Sequence, residues 1–327
     1  MKLLFFTDTH IRGTSPKNRK DDFVDTLEKK LYEILDIISR EDIDYVLHGG
    51  DLFDRPDVSV SVVSRFAKIL KQFKIPIYMI SGNHDIYGHN PKTINRTMIG
   101  LLSELGILNI INQGDKVILS KNHIKAQVTG QPYVYDIDSL NYKKYYTVNN
   151  VDENVDYSIH LVHGMLLDKP FIKGIPYTLV DSIKDTLADI TLSGHYHSGF
   201  SDIQIDNKYF INPGSMVRIS NSLQEMNRKP KVLIISLTDK IDISYINLKT
   251  AKNGESVLDR EEIEKNIYKR ERMYEFKQTI DTALNFDKID INDVLIEVSN
   301  SEGVPEEVKV EALKRIAHAQ LKDMVGE

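Results

Sequence analysis

Two hydrophobic periods alternate along the N-terminal half of the chain. Residues 2–6, 43–48 and 76–80 are short apolar runs that predict buried strands. Between them, residues 22–40 put Phe23, Leu27, Leu31, Ile34, Leu35 and Ile38 on one helical face, and residues 59–73 predict a second helix. A β-α-β-α-β order of this kind implies a mostly parallel sheet covered by helices on both faces. From Ile107 the apolar runs shorten and predict strands over 117–119, 124–129, 157–162, 190–192, 209–211, 232–237 and 241–246. The polar, Tyr-rich stretch 136–156 is expected to be a surface excursion between strands.

After Leu248 the pattern changes. Residues 259–284 predict a long, heavily charged helix, 294–298 a short strand, and 305–324 a last helix. In that helix Val310, Leu313, Ala317, Leu321 and Met324 form one apolar stripe. Periodicity does not separate a stripe packed on its own domain from one that meets a partner.

The 327 residues are 41 % hydrophobic and 28 % charged, enough for a sizeable core and inconsistent with disorder. With no Cys, disulfides, thiolate zinc sites, iron–sulfur clusters and cysteine nucleophiles are excluded, so any metal must be held by nitrogen and oxygen. The first apolar run, Leu3 to Phe6, is too short for a signal-peptide core, and no stretch approaches a membrane span. A cytoplasmic protein with no membrane partner is therefore expected. The net charge of −6 is uneven: residues 1–250 hold 30 basic and 30 acidic side chains, residues 251–327 hold 12 and 18. The acidic excess belongs to the tail, which points to a different job there.

Five short motifs stand where predicted strands end: Asp8-Thr9-His10, Gly50-Asp51-Leu52-Phe53-Asp54, Gly82-Asn83-His84-Asp85, His163-Gly164 and Gly194-His195-Tyr196-His197. The carboxyl ends of strands are where open α/β sheets collect ligands. A lone His-x-His or Gly-Asp pair is more often a satisfied core residue or a turn. Five in one chain, each after a strand, point to one shared site. Asp8, Asp51, Asn83, His10, His163, His195 and His197 offer too many donors for one tetrahedral ion. They suit two divalent ions bridged by a carboxylate, the arrangement that clamps both oxygens of a phosphoryl displacement. Mixed imidazole and carboxylate donors favour Mn, Fe, Zn or Co over Mg or Ca.

The remaining candidates have plainer expectations. His48 and His160 read as structural, and Asp85 as the residue that fixes its turn through backbone hydrogen bonds. His89, His123 and His318 have no partner in sequence. Arg12, Arg55, Arg96 and Arg218 neighbour the motifs and could meet phosphates, although a solvated arginine is the ordinary reading of any one.

In this order, the motifs resemble those of the calcineurin-like metallophosphoesterase superfamily, from Met1 to about Pro213. Within it, Gly50-Asp51-Leu52-Phe53-Asp54 and Asn212-Pro213-Gly214-Ser215 look like the SbcD-type nuclease subunit of DNA double-strand-break repair, including shorter phage-encoded relatives. The resemblance implies an α/β sandwich of two mixed β-sheets flanked by helices, with a small, mainly helical C-terminal appendage. It implies a phosphoesterase domain over 1–250 and, over 251–327, a reduced cap or partner-docking segment, because 77 residues are short for both functions. It further implies a two-manganese nuclease with 3′→5′ exonuclease activity on duplex DNA and endonuclease activity on single strands. Its partners would be DNA and an SbcC-type coiled-coil ATPase, and the family's nucleases commonly form homodimers.

Carried over to this chain, Asp8, His10 and His197 would hold one metal and Asn83, His163 and His195 the other, with Asp51 bridging. A hydroxide between the ions would attack phosphorus. His84 would stabilise or protonate the leaving oxygen, and Asp54 would orient His84. Zero net charge over 1–250 does not favour a polyanionic substrate, yet bound cations offset the acidic residues of the site. Alternatives are a nucleotide or cyclic-nucleotide phosphodiesterase, a protein phosphatase, or an inactive metal-binding scaffold. The presence of His84 counts against the last.

Overall fold

The computed structural model describes residues 1–261, 264–265, 267–270, 272–274 and 291–325, and it divides into two compact units, Met1–Asp259 and Arg260–Glu327. The first unit begins β1 (Lys2–Phe6), α1 (Phe23–Arg40), β2 (Tyr45–His48), α2 (Val60–Leu70), β3 (Ile77–Met79), α3 (Met98–Glu104) and β4 (Asn109–Ile110). It continues through β5 (Lys116–Lys121), β6 (Ile124–Gln131), α4 (Lys143–Tyr146), β7 (Tyr157–Gly164), β8 (Leu166–Leu167), β9 (Thr178–Leu179) and β10 (Ile190–His195). Then come β11 (Ile203–Ile205), β12 (Lys208–Ile211), α5 (Leu223–Asn227), β13 (Lys231–Leu237), β14 (Ile241–Asn247) and α6 (Gly254–Val257).

Two six-stranded mixed sheets result, in the orders β14-β13-β1-β2-β3-β4 and β11-β12-β10-β7-β6-β5. In the first, β1 to β4 are parallel and β13 and β14 are antiparallel additions. In the second, β12, β10, β7 and β6 are parallel, with β11 and β5 antiparallel at the edges.

Strand alternation decides what each face meets. Leu4, Phe6 and Val46 point outward into a core with Leu27, Leu31 and Ile34 of α1 and Phe66 of α2. Leu3, Phe5 and Leu47 point inward and pack on Val128, Ile159, Leu161, Ile190 and Leu192 of the other sheet. The parallel order read from the sequence is thus present, but helices cover only one face of the first sheet, and the second sheet covers the other. A β-α-β pattern names the strand order; it does not say what occupies the far face.

α1 starts where the Asp22 carboxylate accepts the backbone N–H of Asp25 at 3.0 Å, an N-cap. Its buried face includes Ile37, while Leu35 is only half-buried.

The stretch 136–156 is mostly exposed and runs between β6 and β7 as expected, but part of it turns inward. Ile137, Tyr145, Tyr146 and Val148 are buried, most of them in a third core with Val162, Leu166 and Phe210. The Tyr146 hydroxyl donates to Asp138 at 2.6 Å, and the same carboxylate accepts from Thr178 Oγ1 and the Met165 N–H. A tyrosine ring can be buried when its hydroxyl has such a partner. Composition by itself does not show this inward part.

Residues 251–259 fold with the first unit. The Lys20 N–H donates to the Val257 carbonyl at 3.0 Å, and the Asp259 N–H to the Asn18 carbonyl at 2.8 Å. In the second unit, helices Ile291–Ser301 and Glu306–Val325 meet at a turn where Gly303 has φ 61°. The strand expected over 294–298 is part of the first of these helices. A short apolar run fits either period, and here Ser299 Oγ bonds the Leu295 carbonyl one turn back.

Part of the expected 259–284 helix lies outside the described residues, as do the side chains of Ala317, Leu321 and Met324 in the apolar stripe. Val310 of that stripe is 42 % exposed. Among the described residues, no helix is long and apolar enough to cross a membrane.

Leu161 is fully buried between the two sheets, so Leu161→Ala should lower unfolding free energy by about 2–5 kcal/mol. Urea denaturation of the two proteins measures this directly.

Candidate metal centre

The parallel strands of both sheets deliver their carboxyl ends to one place. The segments leaving β1 and β2 are joined by backbone bonds: Asp8 N–H to the Gly50 carbonyl at 3.0 Å, His10 N–H to Asp51 at 3.0 Å, and Ile11 N–H to Leu52 at 2.8 Å. From the second sheet, β7 contributes His163 and β10 contributes His195, paired in register through Gly194 opposite His163.

Turning the donors toward a common point takes unusual backbone. Asp8, His10, Asp51 and His195 all have positive φ, at 54°, 46°, 54° and 81°. Asp and His are among the few non-glycine types enriched there, at a cost of about 1–3 kcal/mol each. Gly82 meets a steric demand instead, since a Cβ there would overlap the Asp51 carboxylate.

Three donor groups form, each with its atoms within 4.8 Å of one another: Asp8, His10 and His197; Asp51, His163 and His195; and His10, Asp51 and His84. His10 Nε2 is 3.1 Å from His197 Nε2, and His197 Nε2 is 3.5 Å from Asp8 Oδ1. His163 Nε2 is 3.3 Å from Asp51 Oδ2 and 3.2 Å from Asn83 Oδ1, which lies 2.9 Å from His195 Nδ1. His10 Nε2 is 3.7 Å from the same Asp51 oxygen. Donors about 2.1 Å from a shared ion lie about 3.0–3.4 Å apart, so this set fits divalent ions. Asp51, 3.7 Å from His10 and 3.3 Å from His163, stands between the donors Asp8, His10 and His197 and the donors Asn83, His163 and His195.

A hydrogen bond behind one donor sets its tautomer. His163 donates through Nδ1 to the Gly49 carbonyl at 2.7 Å, which frees Nε2 for the site. His10 Nδ1 is buried with no hydrogen bond and stands 3.7 Å from the Asp54 carboxylate.

Burial would raise Asp8, yet the hydrogen bond and charge of His197 and the charge of His163 hold it below the usual carboxylate range. Burial opposes ionisation of Asp51 as well, and His163 and His10 outweigh it. Burial lowers His10 to about 3 and His195 to about 4, keeping both neutral. His163 is also buried, but Asp51 and Asp8 raise it to about 9.

All seven residues read as ligands are therefore brought together. His84 is beside them, its ring centroid 4.8 Å from that of His10, but it is exposed and its Nδ1 is 2.9 Å from the Asp54 carbonyl. The contact from Asp54 to His84 is made by main chain. The Asp54 carboxylate instead faces Arg12 at 3.3 Å and His10.

Asp85 accepts the N–H groups of Gly82, Leu52 and Phe53, tying the two loops together, and burial with the nearby Asp51 charge raises it to about 7. His48 bonds Thr9 and Gly50, and His160 bonds Thr129 and the Tyr145 carbonyl, both as structural residues. Arg218 is buried and bonds the carbonyls of Arg228 and Lys252, so it does not face a ligand.

Two contributors carried no sequence signal. Thr7 Oγ1 donates to Asp8 at 2.7 Å, and Tyr133 places its ring 5.5 Å from His195. Ser215, within the Asn-Pro-Gly-Ser motif, donates to the Asp8 carbonyl at 2.8 Å.

A two-sheet sandwich with this centre defines a metallophosphoesterase, and the model of the calcineurin-like phosphoesterase family matches residues 1–199; the chain belongs to that family. Its relatives include three archaeal proteins named DNA double-strand break repair protein Mre11. The one from Saccharolobus solfataricus is 30 % identical over 139 residues, covering 41 % of this chain and 34 % of its own. That from Sulfolobus acidocaldarius is 25 % identical, covering 76 % and 64 %, and that from Methanococcus maripaludis 25 %, covering 83 % and 72 %. The chain thus spans between about a third and two thirds of the length of the first two.

A methyl group at Gly82 would displace the Asp51 carboxylate, which stands between the two sets of donors. Gly82→Ala should therefore weaken Mn²⁺ binding at least about tenfold, as calorimetric titration would show.

Proposed function

We propose that this chain is a two-metal-dependent DNA nuclease of double-strand-break repair. The observation that carries the reading is the Asp51 carboxylate standing between the donors Asp8, His10 and His197 and the donors Asn83, His163 and His195, beside an exposed imidazole, His84, held by main chain. The Mre11 relatives support DNA as the substrate. Asp8, His10 and His197 would hold one ion and Asn83, His163 and His195 the other, with Asp51 between them. Manganese suits the mixed imidazole, amide and carboxylate donors. When bound, such ions supply Lewis acidity toward phosphoryl oxygens and lower the pKa of water.

The side chains divide the remaining work. A carbonyl only accepts, so the contact with Asp54 puts a hydrogen on His84 Nδ1 and leaves Nε2 to exchange the second proton. His84 Nε2, when protonated, donates to the leaving oxygen. The His84 N–H also donates to Asp51 Oδ1 at 2.8 Å, coupling its position to the shared carboxylate. Asp54 acts as a positioning residue, through its carbonyl on His84 and its carboxylate toward His10.

On this reading the protein degrades duplex ends 3′→5′ and cuts single strands in the cytoplasm, as a homodimer partnered by an SbcC-type ATPase. The nuclease domain expected over 1–250 extends through Asp259, and the remaining residues, 260–327, are a reduced cap or docking segment. Deleting 260–327, which leaves the first unit whole, should then impair duplex binding or ATPase association; retention of both in pull-down and gel-shift assays overturns that role.

The deciding assay compares linear duplex DNA, circular single-stranded DNA and bis-p-nitrophenyl phosphate with Mn²⁺. Both DNAs should be cut, and His84→Ala should lose about 10²–10⁴-fold in turnover while retaining its metal content. Hydrolysis of the small ester alone would favour the nucleotide phosphodiesterase alternative. Normal turnover by His84→Ala would remove its assigned role.

A further inference from the structure

Rings in mutual contact lead outward from the metal centre. Tyr133 lies 5.5 Å from His195 and 6.3 Å from His163, centroid to centroid. His89 meets Tyr133 edge-on at 5.2 Å and lies nearly parallel to Tyr135, at 23° and 6.3 Å. The outermost ring, Tyr135, is 84 % exposed and so contributes little to any core.

Backbone, rather than burial, sets these positions. His89 follows Gly88 in a left-handed turn, each at φ 56°. That turn is pinned by the Asn90 N–H on the Tyr87 carbonyl at 3.1 Å and the Tyr87 N–H on Thr93 Oγ1 at 3.0 Å. The Tyr133 N–H donates to the Ser81 carbonyl at 3.0 Å, just after β3. Beside the rings opens a cleft of about 500 Å³ lined by Asp54, Arg55, Asn83, His84, Tyr87 and His89. That volume is in the range of small-molecule sites. His89 and His84 share the cleft, so it joins the row of rings to the residue assigned to the leaving group.

We propose that Tyr133, His89 and Tyr135 form a stacking platform for unpaired nucleobases flanking the scissile phosphate, with Tyr135 as its outer contact. This rests on the nuclease reading above. Aromatic stacking is sequence-tolerant because every base offers a π-face, and only unpaired, unstacked bases present theirs. The platform would therefore select a single-stranded or frayed stretch at the centre and leave sequence unread.

The test uses the full chain with Mn²⁺ and single-stranded oligonucleotides, comparing wild type, Tyr135→Ala and Tyr135→Phe. Tyr135→Ala should raise KM about tenfold with kcat changed less than about twofold, and Tyr135→Phe should restore KM. Circular dichroism checks that the variants are folded. Abasic residues flanking the cleavage site should raise the wild-type KM at least to that of Tyr135→Ala and carry a smaller penalty in the variant, where only Tyr133 and His89 remain to stack. Equal KM for wild type and Tyr135→Ala, or an undiminished abasic penalty in the variant, overturns the platform and leaves the nuclease reading standing. Failure of wild type to cut any oligonucleotide while hydrolysing bis-p-nitrophenyl phosphate overturns both.

Discussion

Two carboxylates, Asp8 and Asp51, stand in the interior with 0 % and 1 % exposure, and much of the first unit is organised around keeping them charged there. Isolated ions at such depth cost several kcal/mol, so each needs fixed donors and opposite charge. Asp8 receives Thr7 Oγ1 and the His195 N–H, and Asp51 receives the His84 N–H. His163, buried yet raised to about 9 by the charges of Asp51 and Asp8, stands 3.3 Å from Asp51. Two divalent ions held by these donors would supply the same compensation more strongly, which is why the charge balance over 1–250 says little against a polyanionic substrate.

Meeting this constraint needs donors from two sheets at once. β1 and β2 bring Asp8, His10 and Asp51, the loop after β3 brings Asn83, and β7 and β10 bring His163 and His195. The apolar packing of Leu3 and Phe5 against Ile159, Leu161 and Leu192 holds the sheets at the spacing that lets those donors meet. The left-handed backbone at four donors is strain that the surrounding hydrogen bonds, and bound ions, must offset. Asp85 acts in the same way, as one buried carboxylate that clamps the Gly50 and Gly82 loops together.

Much of this was legible in the chain because strand ends and donor types coincide. The helix over 22–40 and the strand over 2–6 were readable because one period dominates each. The tyrosine-rich segment is the largely exposed connection its composition predicts, but composition does not show that Tyr146 is buried. A buried phenol depends on an acceptor, and the partnership of Asp138 with Tyr146 and Thr178 forms only on folding. The short strands β4, β8, β9 and β11 were missed because two or three residues carry no period. Residues 294–298 read as a strand because five apolar-rich positions suit either period.

By itself the sequence determined the donor chemistry: no thiol, four imidazoles, two carboxylates and an amide, each placed beside a strand end by local hydrophobic pattern. Spacing along a chain also carries the local glycine and turn requirements. It does not carry which atom of a residue faces which neighbour. Only the tertiary structure decided that Asp54 meets His84 through its carbonyl and His10 through its carboxylate, and that Tyr133, His89 and Tyr135 form one row. Those contacts join segments tens of residues apart. Asp54 links loops that follow β1, β2 and β3 of the first sheet, and the row of rings joins the segment after β3 to the segment after β6 of the second sheet, so none exists before the chain has folded.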